Sequence, residues 1–288
     1  MWGVSIPQKI CIGEKDGDEN LEMIRLFIKY IFKSKSMKKY SKFVPSDDLF
    51  EVPTVIINLI EHKKIDSHNL VLIENVGRCL ETVRIIAVVY NSMEAMRHQN
   101  FDIFNEDHVK MLESLWILLK ETPRQVEGLV SNEWTELGFQ GNDPTTDFRS
   151  MGMLGLYQLH FFAKRKTDIA KLILQEFNTS ERKFPFAIIG INLTRLIIEM
   201  LTQRRLHNRI IDLFGNITVN SGLAYLEGPS NDQDCIDYCI GIVHEVYCQA
   251  FEEFYLVWVV RKPTSIMAFT ELYEEVQAIM HQKFHPII

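Results

Sequence analysis

The chain has 288 residues, 47% of them apolar and 24% charged, a balance that supports a sizeable buried core and excludes chain-wide disorder. Acidic residues outnumber basic ones, 38 to 31, for a net charge of −7, so no overall positive field draws the molecule to nucleic acid or to anionic lipid. No run approaches the roughly 18 consecutive apolar residues that spanning a bilayer requires, and residues 1–15 lack a signal-peptide pattern, which makes the cytoplasm the expected compartment.

Helical periodicity recurs along most of the chain and strict alternation is rare, so the expected fold class is all-α. Residues 21–33 place Leu21, Ile24, Phe27, Ile28, Ile31 and Phe32 in steps of three and four, the mark of an amphipathic helix. Residues 66–98 predict one or two helices, with Ile73, Val76, Leu80, Val83, Ile86 and Val89 as a stripe facing a neighbour. Residues 105–120 predict another, ending before Pro123.

Residues 128–147, rich in glycine, asparagine, aspartate and proline, read as a long irregular connection. Residues 150–164 are apolar on most faces, as expected of a helix through the middle of a core. Residues 186–203 are similar, with Asn192, Arg195, Glu199 and Gln203 as a narrow polar strip. A long helix over 236–261 stops before Pro263, and a short one follows over 265–283. A boundary near residue 122 would divide an amino-terminal helical region, 1–122, from a more apolar domain, 123–288.

Five cysteines, Cys11, Cys79, Cys235, Cys239 and Cys248, are too few and too unevenly placed for a disulfide framework, so reduced thiols are expected. Cys235, Cys239, His244 and Cys248 have the donors for zinc. At about 100° per helical residue, however, they fall into two pairs on opposite faces, and no metal site is expected. Lys33, Lys35, Lys38, Lys39 and Lys42 follow the first amphipathic helix. They suit either an anionic membrane surface or a solvated linker. Arg204, Arg205 and Arg209 are expected to complement the carboxy-terminal dipole of the 186–203 helix. Neither G-x-x-x-x-G-K-[ST], G-x-S-x-G nor H-E-x-x-H occurs, which argues against a nucleotide hydrolase, an α/β-hydrolase or a zincin.

The most informative stretch is 134–156, W-T-E-L-G-F-Q-G-N-D-P-T-T-D-F-R-S-M-G-M-L-G-L. Gly138 and Gly141 loosen the backbone and Pro144 fixes one φ. Thr146 or Asp147 can cap the next helix, which puts Arg149 at or just before its start, where a helix dipole and a guanidinium fork would both suit an oxyanion. The plainer reading is that Arg149 pairs with Asp143 or Asp147 and pins the loop, while Trp134, Phe139 and Phe148 anchor it.

Trp134-x-x-x-Gly138-Phe139-Gln140, Asp143-Pro144-x-Thr146-Asp147-Phe148-Arg149 and Gly152-x-x-Gly155-Leu156 together resemble the signature of the ELMO (engulfment and cell motility) domain, most closely its ELMOD subgroup. Phe186 to Asn192, and Phe251-x-x-Phe254 with the segment from Pro263 to Phe269, resemble further family blocks. The resemblance implies a multi-helix bundle that accelerates GTP hydrolysis by Arf and Arf-like GTPases, with Arg149 as an arginine finger supplied in trans. Asp147 and Gln140 would shape the loop. GTP and Mg²⁺ would belong to the partner, leaving this chain no cofactor of its own. The resemblance also allows a non-catalytic adaptor or effector that binds a small GTPase or an exchange-factor complex. The family usually has glycine where this chain has Ser150. That change weakens activity or narrows the partner list if glycine serves a positive φ or the close approach of a GTPase switch; the alternative is that serine caps a helix. Peripheral endomembrane contact would run through residues 33–42.

Overall fold

The computed structural model describes residues 25–26, 54–57, 61, 68–125, 128–179, 184–218 and 233–286. The expected helix over 21–33 and the lysine run over 33–42 lie almost wholly outside them. The described residues are all-α, with no strand among them. By their contacts they fall into two compact units, one drawn from Met1–Ser92, Arg204–Ile242 and His285–Ile288, the other from Met93–Gln203 and Val243–Phe284. Residue 122 lies within the second of these.

Among the described residues from 70 onward, the α-helices in chain order are α1 (Leu70–His98), α2 (Glu106–Lys120), α3 (Gly152–Arg165), α4 (Thr167–Thr179), α5 (Phe186–Thr202), α6 (His207–Thr218), α7 (Gln233–Arg261) and α8 (Phe269–Lys283). The stretch expected to hold one or two helices thus contains a single one over residues 70–98. The stripe from Ile73 to Val89 is buried, and Cys79, Thr82, Ile85 and Ala87 are buried beside it, so the middle of α1 is covered on every face.

α2 begins where its sequence says it should. The Asn105 side chain accepts the Asp107 N–H, Glu106 and Asp107 face the positive end of the dipole, and Glu121 closes the helix with φ 61° before Pro123. α4 and α6 are additions to the sequence-based expectation. Ala170, Ile173, Leu174 and Phe177 give α4 a buried stripe of helical period. α5 keeps the expected strip: Asn192, Arg195, Glu199 and, just past its end, Gln203 reach toward solvent, joined on the same face by Ile188 and Thr202.

Within the second unit, α3 packs on α2, α4 and α5 and is the central helix that residues 150–164 predict. Phe162 of α3 stacks on Phe251 of α7 with ring centroids 4.5 Å apart, and Phe186 of α5 lies 4.8 Å from the same ring. Gly190 lets these helices close. A Cβ there would stand 2.3 Å from Leu159 Cδ2 and 2.7 Å from the Tyr247 hydroxyl. A polar pair sits in this core: the Gln158 amide nitrogen is 3.4 Å from His244 Nδ1, and the imidazole packs against the rings of both Tyr157 and Phe161. Burial pulls His244 down to about 4.

Cys79, Cys239 and Cys248 are buried free thiols. Burial pushes Cys248 up to about 12, so it is an inert packing group at neutral pH. No helix among the described residues is long and apolar enough to cross a membrane.

Candidate functional site

Between α2 and α3 the chain forms two 3₁₀ helices, Asn132–Leu137 and Pro144–Ser150, where the sequence suggests irregular backbone. Short side chains that bind nearby backbone explain this. Ser131 caps the first by accepting the Glu133 N–H, and Asp143 caps the second by accepting the Thr145 N–H at 3.0 Å and its hydroxyl at 2.7 Å. Pro144 occupies the first turn, where its missing N–H costs nothing.

Trp134 is completely buried, and its Nε1–H donates to the Leu129 carbonyl at 2.7 Å. The ring meets Trp116 and Phe139 edge-on, while the Arg124 guanidinium lies 4.3 Å from its centroid. Phe139 in turn meets Phe148 edge-on at 5.7 Å, and Phe148 stacks with Phe101 at 6.2 Å. The aromatic residues of the loop are therefore a continuous row pressed into the core.

Gly138 has φ 82°, and a Cβ at that position would lie 2.3 Å from the Phe186 backbone nitrogen. Only glycine lets the loop reach the start of α5. Gly141 is different: its φ is outside the positive region and a Cβ added there would meet nothing within 4 Å, so its place here has no steric basis.

Asp147 does not cap α3. Its carboxylate accepts the Gln140 backbone N–H at 2.9 Å, and Thr146 sends its hydroxyl to the Asp143 carbonyl. Burial holds the Asp147 carboxyl above its ordinary range, opposed by the Gln140 hydrogen bond. Asp143 adds to the rise and the Arg149 charge to the opposition.

Arg149 lies in the last turn of the second 3₁₀ helix, and its side chain is exposed. It makes no hydrogen bond or ion pair with any described residue, so the staple to Asp143 or Asp147 is not formed. The helix-dipole part of the sequence expectation also needs correction. α3 opens at Gly152 with Met151 as an N-cap that offers no side-chain bond, and the Met153 N–H is already given to the Gln99 carbonyl at 2.8 Å. The first turn is buried instead of facing an incoming anion, which leaves the Arg149 guanidinium as the cationic feature of this turn.

Gly152 makes that covering possible. Its φ is 52°, and a Cβ there would stand 2.3 Å from the Arg97 carbonyl and 2.6 Å from that of Gln99. The segment after α1 is thus clamped against the start of α3, a contact between residues more than fifty positions apart that no local pattern announces. Ser150, where a positive φ was one explanation for the usual glycine, lies outside that region of φ and is exposed. Gly152 is the residue of this turn that takes the left-handed conformation.

The model of the ELMO/CED-12 family matches residues 91–273. The chain belongs to the ELMO/CED-12 family. It is 31% identical to mouse ELMO domain-containing protein 1 over 93% of its own length and 80% of that protein's. Mouse ELMO domain-containing protein 2 is also 31% identical, over 82% of this chain and 71% of the relative. ELMO domain-containing protein B of Dictyostelium discoideum is 29% identical over 97% of this chain and 90% of its own. No solved structure matches the chain. The ELMO match contains both 3₁₀ helices, the aromatic row and Arg149, so the candidate site lies wholly inside the family domain.

Proposed function

We propose that this ELMO-family chain is a GTPase-activating protein for Arf or Arf-like small GTPases, and that Arg149 is the catalytic residue it lends to the partner. The observation that carries this reading is an exposed arginine without an ion-pair partner among the described residues, on a turn where Thr145, Thr146 and Asp147 are held by hydrogen bonds and Phe148 is buried among aromatic rings. An exposed guanidinium on a fixed stem suits delivery into a neighbour's nucleotide pocket, because little reorganisation is needed when charge develops on the γ-phosphate and bridging oxygen. GTP and Mg²⁺ are the partner's. The fork of Arg149 neutralises charge there and orients the departing phosphoryl group, an effect worth about 10³–10⁵ in rate in GTPases that receive such an arginine.

The test is phosphate release from a panel of GTP-loaded Arf and Arf-like proteins with wild type, Arg149→Ala and Arg149→Lys. Lysine is a point charge without the bidentate fork, so both variants are expected to lose most of the stimulation. Stimulation by Arg149→Lys equal to wild type overturns the finger role. Stable capture of a GTP-loaded member with no change in its hydrolysis favours the adaptor or effector reading. Peripheral membrane contact through lysines 33–42 belongs to the same proposal and is checked by liposome co-sedimentation after their replacement.

A further inference from the structure

Phe104 is 92% exposed, and Ile103 beside it is 53% exposed. Single apolar residues at a surface are ordinary. This one stands on a braced turn. The Asp102 carboxylate accepts the Phe104 N–H at 2.9 Å, the Asp102 carbonyl accepts the Asn105 N–H at 3.1 Å, and His108 Nδ1 accepts the Asp102 N–H at 3.0 Å. Asn105, next in the chain, caps α2. The ring is therefore held in water by a turn with little freedom to fold it away.

The same segment is fastened to the arginine turn. Phe101 stacks on Phe148, the residue before Arg149, and the Gln99 carbonyl takes the Met153 N–H. Three residues of chain span at most about 11 Å, so Phe104 stays near the turn that carries Arg149, close enough for one ordinary protein interface of about 800 Å² per partner to reach both.

An exposed arginine gives orientation and encounter rate, but its attraction is screened by salt and fixes no docking pose alone. A water-excluding contact beside it does, and aromatic side chains are the usual anchors of that kind. We infer that Phe104, supported by Ile103, is the apolar anchor on which a GTP-loaded small GTPase docks beside Arg149, the partner presenting an apolar depression next to its anionic nucleotide pocket. This rests on the reading of Arg149 given above, and it separates two roles in one surface: Phe104 sets affinity and Arg149 sets the rate within the complex.

The experiment measures both quantities with the 288-residue chain against each member of the panel of Arf and Arf-like proteins. Binding is read by calorimetry with the GTPase loaded with a non-hydrolysable GTP analogue, turnover by phosphate release at varied GTPase concentration. Phe104→Ser is expected to weaken binding about 30-fold and raise KM in step, with kcat at saturation within about twofold of wild type. Phe104→Leu restores most of the affinity. Arg149→Ala shows the opposite split, with kcat lost and binding kept.

Wild-type affinity in Phe104→Ser overturns the anchor while leaving the activator reading intact. Binding that depends on Phe104 without any acceleration of hydrolysis supports the anchor and overturns the finger. A wild-type chain that binds no member of the panel overturns both. Phe104 is exposed, so its replacement leaves the melting temperature unchanged, and a fall in that temperature would count against the assignment.

Discussion

The Asp147 carboxylate accepts the backbone N–H of Gln140 across seven residues, at 2.9 Å, and so closes the segment that leads into Arg149. Burial raises this carboxyl above its ordinary value of 3.8, so the folded chain holds the proton more tightly than the unfolded one. Asp147→Asn keeps an acceptor and removes the titration. Wild type is expected to be at its best relative to the variant below pH 3.8 and to lose ground as pH climbs through the raised folded value, with a constant difference above it. Paired denaturation midpoints from pH 3 to pH 8, about a unit apart, check this. A difference that moves the other way contradicts the burial that places Asp147.

Gly138 and Gly141 are three residues apart and should behave differently. Gly138→Ala puts a methyl into the Phe186 backbone at a positive φ and is expected to cost about 2 kcal/mol or more. Gly141→Ala meets open space at an ordinary φ and is expected to be neutral or to stabilise by up to about 1 kcal/mol, by restricting the unfolded chain. Urea unfolding of the two variants decides the matter.

Gly152 and Ser150 form a second contrast, this time in activity. Gly152→Ala forces the turn away from the carbonyls of Arg97 and Gln99 and so displaces Arg149. A displacement of about 1 Å is enough to cost on the order of 100-fold in rate, so stimulated hydrolysis is expected to collapse along with some stability. Ser150→Gly restores the residue more usual in the family at a position that is exposed and not left-handed, and it is expected to leave the stimulated rate unchanged. A large gain in rate would show that the partner's surface comes close to that backbone.

His244 supplies a pH dependence far from the arginine. Its folded value is depressed from 6.5 to about 4 by burial, so the stability it protects is complete above 6.5 and is lost as pH falls toward 4. That amounts to roughly 3 kcal/mol across the window. His244→Gln removes the titrating group, and its stability is expected to vary less than wild type between pH 7 and pH 4, about three units apart, in chemical denaturation. Equal slopes for the two proteins would mean that the imidazole is hydrated in the folded state.

Much of the helical layout is legible in the sequence because period and caps are local. Asn105 and Pro123 bracket α2, and the strip from Asn192 to Gln203 marks the one wet face of α5. The Ala170 to Phe177 stripe of α4 has the same helical period and is equally local. The 3₁₀ helices are harder to see, because Gly, Asn, Asp and Pro announce a break in regular structure but not the hydrogen bonds that replace it. Arg149 and its aromatic supports are identified by motif. The clamp on Gly152 is not, since it joins backbone carbonyls to a glycine from a distant part of the chain and neither side carries a distinctive side chain. The dipole argument fails for the same reason: Gln99 takes a donor that sequence alone leaves open.

Trp116 and Trp134 meet edge-on, and Trp134 touches the aromatic row that ends beside the arginine turn. The region thereby carries a built-in optical reporter. Loosening of these rings would admit water to the indoles and shift their emission to longer wavelength, so rearrangement on meeting a partner can be followed in unlabelled protein.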